Sequence, residues 1–178
     1  MNKSLFLVLV DGPMGSGKTT TTKLLNEKLL GTARVAFPDI KRLIPNYKES
    51  PDSLSVTREV MRVMINKYLE LGISVVVEQV SKAEGLQALK DLAEKNHARF
   101  FAYRLDAPKE IRFARVCERT KEMMGVLELP ESKKDELIGY FEPNDQFYTE
   151  NPSDLVSIID TQNLTSEEVV EMIVDKLA

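Results

Sequence analysis

Cysteine and histidine are almost absent: the 178 residues contain one of each, Cys117 and His97. That excludes an intramolecular disulfide and a His/Cys zinc cage. Cys117 reads as a small core residue and His97 as an exposed one. Long hydrophobic runs are missing too. The longest, Leu5 to Val10, is far too short to span a bilayer, and no small-residue cleavage site follows it, so the sequence reads as a cytoplasmic protein with no membrane partner. Excess positive charge is also lacking. A net charge of -4 argues against a broad basic surface for long nucleic acid. No internal repeat, low-complexity tract or interdomain linker interrupts the chain, which is predicted to form one domain over residues 1–178.

What is present is unevenly spread. Residues 99–121 carry 7 basic and 3 acidic side chains, whereas residues 122–178 carry 3 basic and 14 acidic ones. A short basic stretch inside an acidic protein points to a local anion site.

Short apolar runs alternate with segments of helical spacing. Leu5–Val10, Arg34–Phe37, Ile73–Val77, Ala98–Leu105 and Leu155–Ile159 read as strands, the first buried on both faces. Lys18–Leu30 and Val56–Leu71 read as helices, the second placing Val60, Val63, Met64 and Leu71 along one side. Ser81 with Glu84 and Thr165 with Glu168 have the spacing of capping boxes, and Pro108 suits the first turn of a helix running to about Thr120. The alternation predicts an α/β fold with a mostly parallel five-stranded sheet. Residues 38–55, with Pro38, Pro45, Asn46, Pro51 and Asp52, read as loop. Residues 120–154 read as short helices and loops.

Gly12, Pro13, Met14, Gly15, Ser16, Gly17, Lys18 and Thr19 match G-x4-G-K-[ST] between a buried strand and a helix, with Thr20 next in line. Such a loop turns successive amide N–H groups inward at phosphate oxygens, and the following helix adds its positive dipole end. Lys18 would reach the β and γ phosphates and the Thr19 hydroxyl would ligate Mg²⁺. Glu78, closing the run Val75–Val77, stands where a magnesium-shell acid belongs, with Asp11 as its competitor. No Asn-Lys-x-Asp tetrad is present, so ATP is the expected donor rather than GTP.

Asp39 offers a carboxylate that could take a hydroxyl's proton, or simply cap the turn Ile40–Leu43. Arg42 lies one helical turn away if the chain coils there. Arg112, Arg115 and Arg119 recur at three and four residues, so two or three can share a helix face, either toward phosphate or toward solvent. Arg58 and Arg62 are one turn apart, fit to hold an acceptor phosphate or to be ordinary exposed arginines. Tyr140, Phe141, Phe147 and Tyr148 read first as packing residues and second as a base-stacking platform.

Taken in order, these elements resemble the small P-loop kinases of the group that contains polynucleotide 5'-hydroxyl kinases, zeta toxins and antibiotic phosphotransferases. After the cradle, Asp39-Ile-Lys-Arg42 is similar to a D-x-x-R element, Leu105-Asp-Ala-Pro108 leads into Arg115-x3-Arg119, and Ile159-Asp-Thr161 precedes the last helix. The resemblance implies a three-layer sandwich with strand order 2-3-1-4-5 and a small lid-like insertion at about 120–150. It also implies Arg119 as the cation on the transferring phosphoryl group and Arg115 near the donor's phosphates or base. The expected activity is transfer of the γ-phosphoryl group of ATP to a hydroxyl on a small molecule, less readily to a polynucleotide 5' end. A nucleoside monophosphate kinase using Arg42, Arg58 and Arg62 is the first alternative, and an ATP-binding switch the second.

Overall fold

The computed structural model describes residues 4–46 and 52–177. Five parallel strands form one sheet: β1 (Phe6–Asp11), β2 (Ala33–Ala36), β3 (Val75–Glu78), β4 (Arg99–Asp106) and β5 (Ser157–Asp160). Their order is β2-β3-β1-β4-β5, as the resemblance implies. β1 is central and wholly buried because it pairs on both sides, with Val8 opposite Val76 on one edge and Phe101 on the other.

The pleat of β1 divides the core in two. Leu7 and Leu9 face a cluster that includes Met61, Ile65, Leu86 and Leu89, contributed by α3 (Ser53–Glu70) and α4 (Ala83–Lys95). Phe6, Val8 and Val10 face Leu25 of α1 (Lys18–Lys28) and Val169, Val170 and Ile173 of α7 (Ser166–Leu177). Helices on both faces give the three layers. A third, smaller cluster of Val116, Leu129, Leu137 and Phe141 joins α5 (Lys109–Met124) to α6 (Glu131–Glu150), and Met14 and Cys117 pack against it.

Several local expectations need correction. Phe37 does not extend β2: Pro38 at the start of α2 (Phe37–Arg42) presets a helical φ, so the chain coils directly after Ala36 and this part of the loop-rich stretch is helical. Pro51 lies outside the described residues. The buried side of α3 is Ser53, Thr57, Met61, Ile65 and Leu69, whereas Val60, Val63 and Leu71 are exposed. Burying Thr57 is inexpensive because its hydroxyl donates to the Ser53 carbonyl at 2.6 Å, a pairing that hydropathy does not reveal.

Ser81 and Glu84 form no capping box. The Ser81 hydroxyl instead accepts a hydrogen bond from Gln79 Nε2 at 2.8 Å, and Lys82 takes the N-cap position of α4. Thr165 and Glu168 do form one, with reciprocal bonds of 3.2 and 2.7 Å. Residues 131–150 are a single 20-residue helix rather than short pieces, even though Pro143 removes a backbone donor from its interior.

Candidate active site

The loop Gly12–Thr19 leaves the carboxyl end of β1 and enters α1 at Gly17, whose φ of 99° places it in the left-handed region. Two other glycines are required by close approach. A Cβ on Gly12 would lie 2.2 Å from the Leu105 carbonyl oxygen, and one on Gly15 2.3 Å from that of Arg112. The loop is therefore seated against β4 and α5.

Among the described residues, the N–H groups of Gly15, Gly17, Lys18, Thr19 and Thr20 donate to no protein acceptor. Five free donors beside a helix N-terminus make a cradle for phosphate. Lys18 Nζ donates to the Pro13 carbonyl at 2.8 Å, and burial pushes its amine down to about 8. The Ser16 hydroxyl, buried in the same loop, is unpartnered among the described residues.

The Thr19 hydroxyl donates to Glu78 Oε1 at 2.5 Å, and Glu78 Oε2 accepts from Thr22 at 3.0 Å and from Arg34 at 2.5 Å. Asp11 is fully buried and committed elsewhere. Its carboxylate accepts from the Gly12 N–H at 2.8 Å, lies 2.7 Å from the Tyr148 hydroxyl and pairs with Arg104 at 3.3 Å. Burial pushes the Asp11 carboxyl up, and burial with the adjacent carboxylate pushes the Tyr148 hydroxyl up as well. Hard oxygen donors on Thr19 and Glu78, in contact with each other and next to the cradle, fit Mg²⁺, which takes few protein ligands and several phosphate or water oxygens. Among the described residues no group of three or more His, Cys, Asp or Glu side chains is placed to hold a metal ion.

Two cavities meet at the loop. One of about 430 Å³ lies over Gly15 to Thr21 and reaches Arg115, Thr161, Leu164 and Thr165. The other, about 270 Å³, is walled by Lys18, Thr19, Glu78, Phe37, Arg58 and Gln79. Gly15 and Arg119 line both. Arg119 is exposed and makes no hydrogen bond or ion pair among the described residues. Arg115 is fixed, donating to the Thr161 hydroxyl at 3.1 Å and carbonyl at 2.7 Å.

The other basic side chains divide differently from the reading of one anion site. Arg104 pairs with Asp11, and Arg112 is buried, donating to Asp145 at 2.8 Å and to the Ala107 carbonyl at 2.8 Å. Arg99 donates to the Leu177 carbonyl. The basic stretch is thus in large part a set of internal ties.

Asp39 accepts from Arg34 at 2.6 Å and Arg42 at 3.0 Å, one residue beyond the cavity wall formed by Phe37 and Pro38. Arg58 lies over the Phe37 ring at 5.6 Å and lines the smaller cavity. Arg62 pairs with Glu59 outside it. Phe141 is buried in the α5–α6 cluster, Phe147 and Tyr148 meet edge to face at 5.2 Å, and Tyr140 is exposed. Arg34 and Asn144 are polar contributors that the sequence pattern does not single out, and Tyr148, expected to pack or to stack on a base, contributes through its hydroxyl. The available signal for Arg34 was a charge within a short apolar strand.

Solved structures at low identity share the architecture. APS kinase of Mycobacterium tuberculosis, in complex with AMPPNP and APS, superposes with a TM-score of 0.68 at 17% identity over 98% of this chain and 98% of that one. Shikimate kinase of Acinetobacter baumannii, in complex with shikimate, gives 0.59 at 18% over 98% and 94%. A gluconokinase of Sinorhizobium meliloti 1021 gives 0.58 at 17% over 98% and 93%. These likenesses establish the fold. No curated protein matches the sequence. No helix among the described residues is long and apolar enough to cross a membrane. A family model described as an AAA domain matches residues 7–144, from β1 through the cradle and the lining of the smaller cavity into α6, and with it the chain belongs to the AAA domain family.

Proposed function

We propose that the protein is an ATP-dependent phosphotransferase that moves the γ-phosphoryl group to a hydroxyl on a small molecule. The observation that carries this reading is the junction of the two cavities at Gly15 and Arg119. A donor phosphate chain lying in the cradle from the larger cavity would present its terminal group to the smaller one. A volume of about 270 Å³ suits a compact acceptor.

Lys18 and Arg119 would flank the transferring group and neutralise charge on its equatorial oxygens. Arg115 would hold the donor side. Thr19 and Glu78 would hold Mg²⁺, which supplies charge neutralisation on the β and γ oxygens when bound. Gln79, its amide fixed by Ser81, and Arg58 over Phe37 would orient the acceptor.

Asp39 is proposed as the proton acceptor. Its exposed carboxylate, one residue after the lining Pro38, is held by Arg34 and Arg42, and Arg34 also bonds Glu78 of the cavity wall. Asp39→Asn is expected to lower kcat about a hundredfold with little change in the KM for ATP. A variant with native kcat removes this assignment.

A nucleoside monophosphate kinase is less well supported. Of the three arginines that would clamp its acceptor phosphate, Arg58 alone lines the cavity, while Arg42 and Arg62 are exposed and paired outside it. ADP release measured across a panel of small hydroxyl compounds and nucleoside monophosphates separates the two. Turnover with a hydroxyl compound supports the proposal, and turnover with monophosphates alone overturns it.

A further inference from the structure

The phosphate loop is held from behind by α6. Met14 is gripped three ways: its N–H donates to Asn144 Oδ1 at 2.6 Å, its carbonyl accepts from Arg112 at 3.3 Å, and its side chain packs against the α5–α6 cluster. Two residues earlier, the Gly12 N–H donates to Asp11 Oδ1 at 2.8 Å and faces the Tyr148 oxygen at 3.2 Å. The Tyr148 hydroxyl lies 2.6 Å from the Gly12 carbonyl. The Ser16 N–H donates back to the Pro13 carbonyl at 3.2 Å.

A division of labour follows. The N–H groups of residues 12, 14 and 16 are taken up by protein acceptors, whereas those of residue 15 and of residues 17 to 20 remain free for phosphate. Asn144 and Tyr148 are one helical turn apart on α6, with Asp145 bonded to Arg112 between them and the Arg104 guanidinium 4.8 Å over the Tyr148 ring.

We infer that the second half of α6 is a positioning strap for the phosphate loop, with Tyr148 holding the Gly12 peptide and Asn144 the Met14 N–H so that the inward N–H groups stay aimed at nucleotide. Neither residue touches the cavities that would hold donor and acceptor. Both act through the loop. The inference rests on the proposed reading only in taking the loop to bind nucleotide, and it does not depend on which acceptor is used.

The test is calorimetric binding of a non-hydrolysable ATP analogue to the full chain, with amide hydrogen exchange followed in parallel. Tyr148→Phe keeps the ring between Arg104 and Phe147 and deletes the hydroxyl. It is expected to weaken binding about tenfold, the size that two ordinary hydrogen bonds confer, and to speed exchange at Gly12. Asn144→Leu should weaken binding similarly and speed exchange at Met14. Asn144→Asp retains an acceptor oxygen and should restore the slow exchange at Met14. Gln146→Ala, whose side chain bonds only Glu150 on the exposed side, should bind as the native protein does. Native affinity and native exchange in both Tyr148→Phe and Asn144→Leu overturn the strap. A chain that binds the analogue with these differences but phosphorylates no acceptor supports the strap and contradicts the kinase reading, so the two failures are distinguishable.

Discussion

Replacing Lys18 with methionine is expected to lower kcat/KM for ATP-dependent transfer about a thousandfold, or roughly 4 kcal/mol of transition-state stabilisation. The methylene stem keeps its packing and the charge alone is lost. Among the described residues the ammonium has only the Pro13 carbonyl as a hydrogen-bond partner, with Asp11 and Glu78 as opposing charges and Arg119 and Arg112 as like ones. It is a cation held in reserve, and burial keeps its amine at about 8. The sign of the pH dependence follows. Below that value the free protein already carries the ammonium that an incoming triphosphate requires. As pH rises through it, the free protein loses the proton and binding must take one up, so affinity falls. Measured by calorimetry with magnesium chelated, ATP binding should weaken as pH rises through about 8 in the native protein and stay flat there in Lys18→Met.

Arg119→Gln should separate chemistry from binding. Its guanidinium lies at the junction of the two cavities and makes no hydrogen bond or ion pair among the described residues, so its removal leaves no buried group unpaired. The expected result is a fall in kcat of about a thousandfold with the KM for ATP changed only a few-fold, as for a cation that acts on the transferring group. Arg115→Gln should behave in the opposite way. That side chain is bonded to Thr161 in the cavity proposed for the donor, so its loss should raise the KM for ATP more than it lowers kcat. A steady-state comparison of the two variants checks both expectations.

What the sequence reveals about this site depends on how local each contact is. The cradle is legible because its glycines, Lys18 and Thr19 lie within one turn and the strand and helix around it are strongly patterned. Alternation gives the parallel α/β sheet, and the strand order comes from the resemblance alone. The ties behind the loop are not legible in the same way. Tyr148 meets Gly12 across 136 positions, and Asn144 meets Met14 across 130. Their signal in the sequence is only that of polar and aromatic residues on a long helix, itself obscured by Pro143. Arg104 is an intermediate case. It interrupts an apolar strand and sits directly across the sheet from Asp11, so a buried charge there demands a partner, but only strand register identifies it. The buried face of α3 differs from the apolar pattern because the Thr57 hydroxyl donates to the Ser53 carbonyl inside the core, which no hydrophobicity pattern records.

The acidic balance of the chain also takes on a structural meaning. Asp145 is neutralised internally by Arg112, and Asp11 by Arg104, so part of both the acidic tail and the basic stretch cancels inside the molecule. Arg115, Arg119, Arg58 and Lys18 are the cations that line the cavities.

In the proposed reaction the cavity beside Lys18 and Glu78 receives an acceptor for the terminal phosphoryl group. The direct measurement is mass spectrometry of acceptors incubated with the protein, magnesium and ATP carrying ¹⁸O in its γ-phosphoryl group. Appearance of the labelled phosphoryl group on a small hydroxyl compound, abolished in Lys18→Met, is the result predicted. Label recovered only in inorganic phosphate, with every acceptor unchanged, would contradict it.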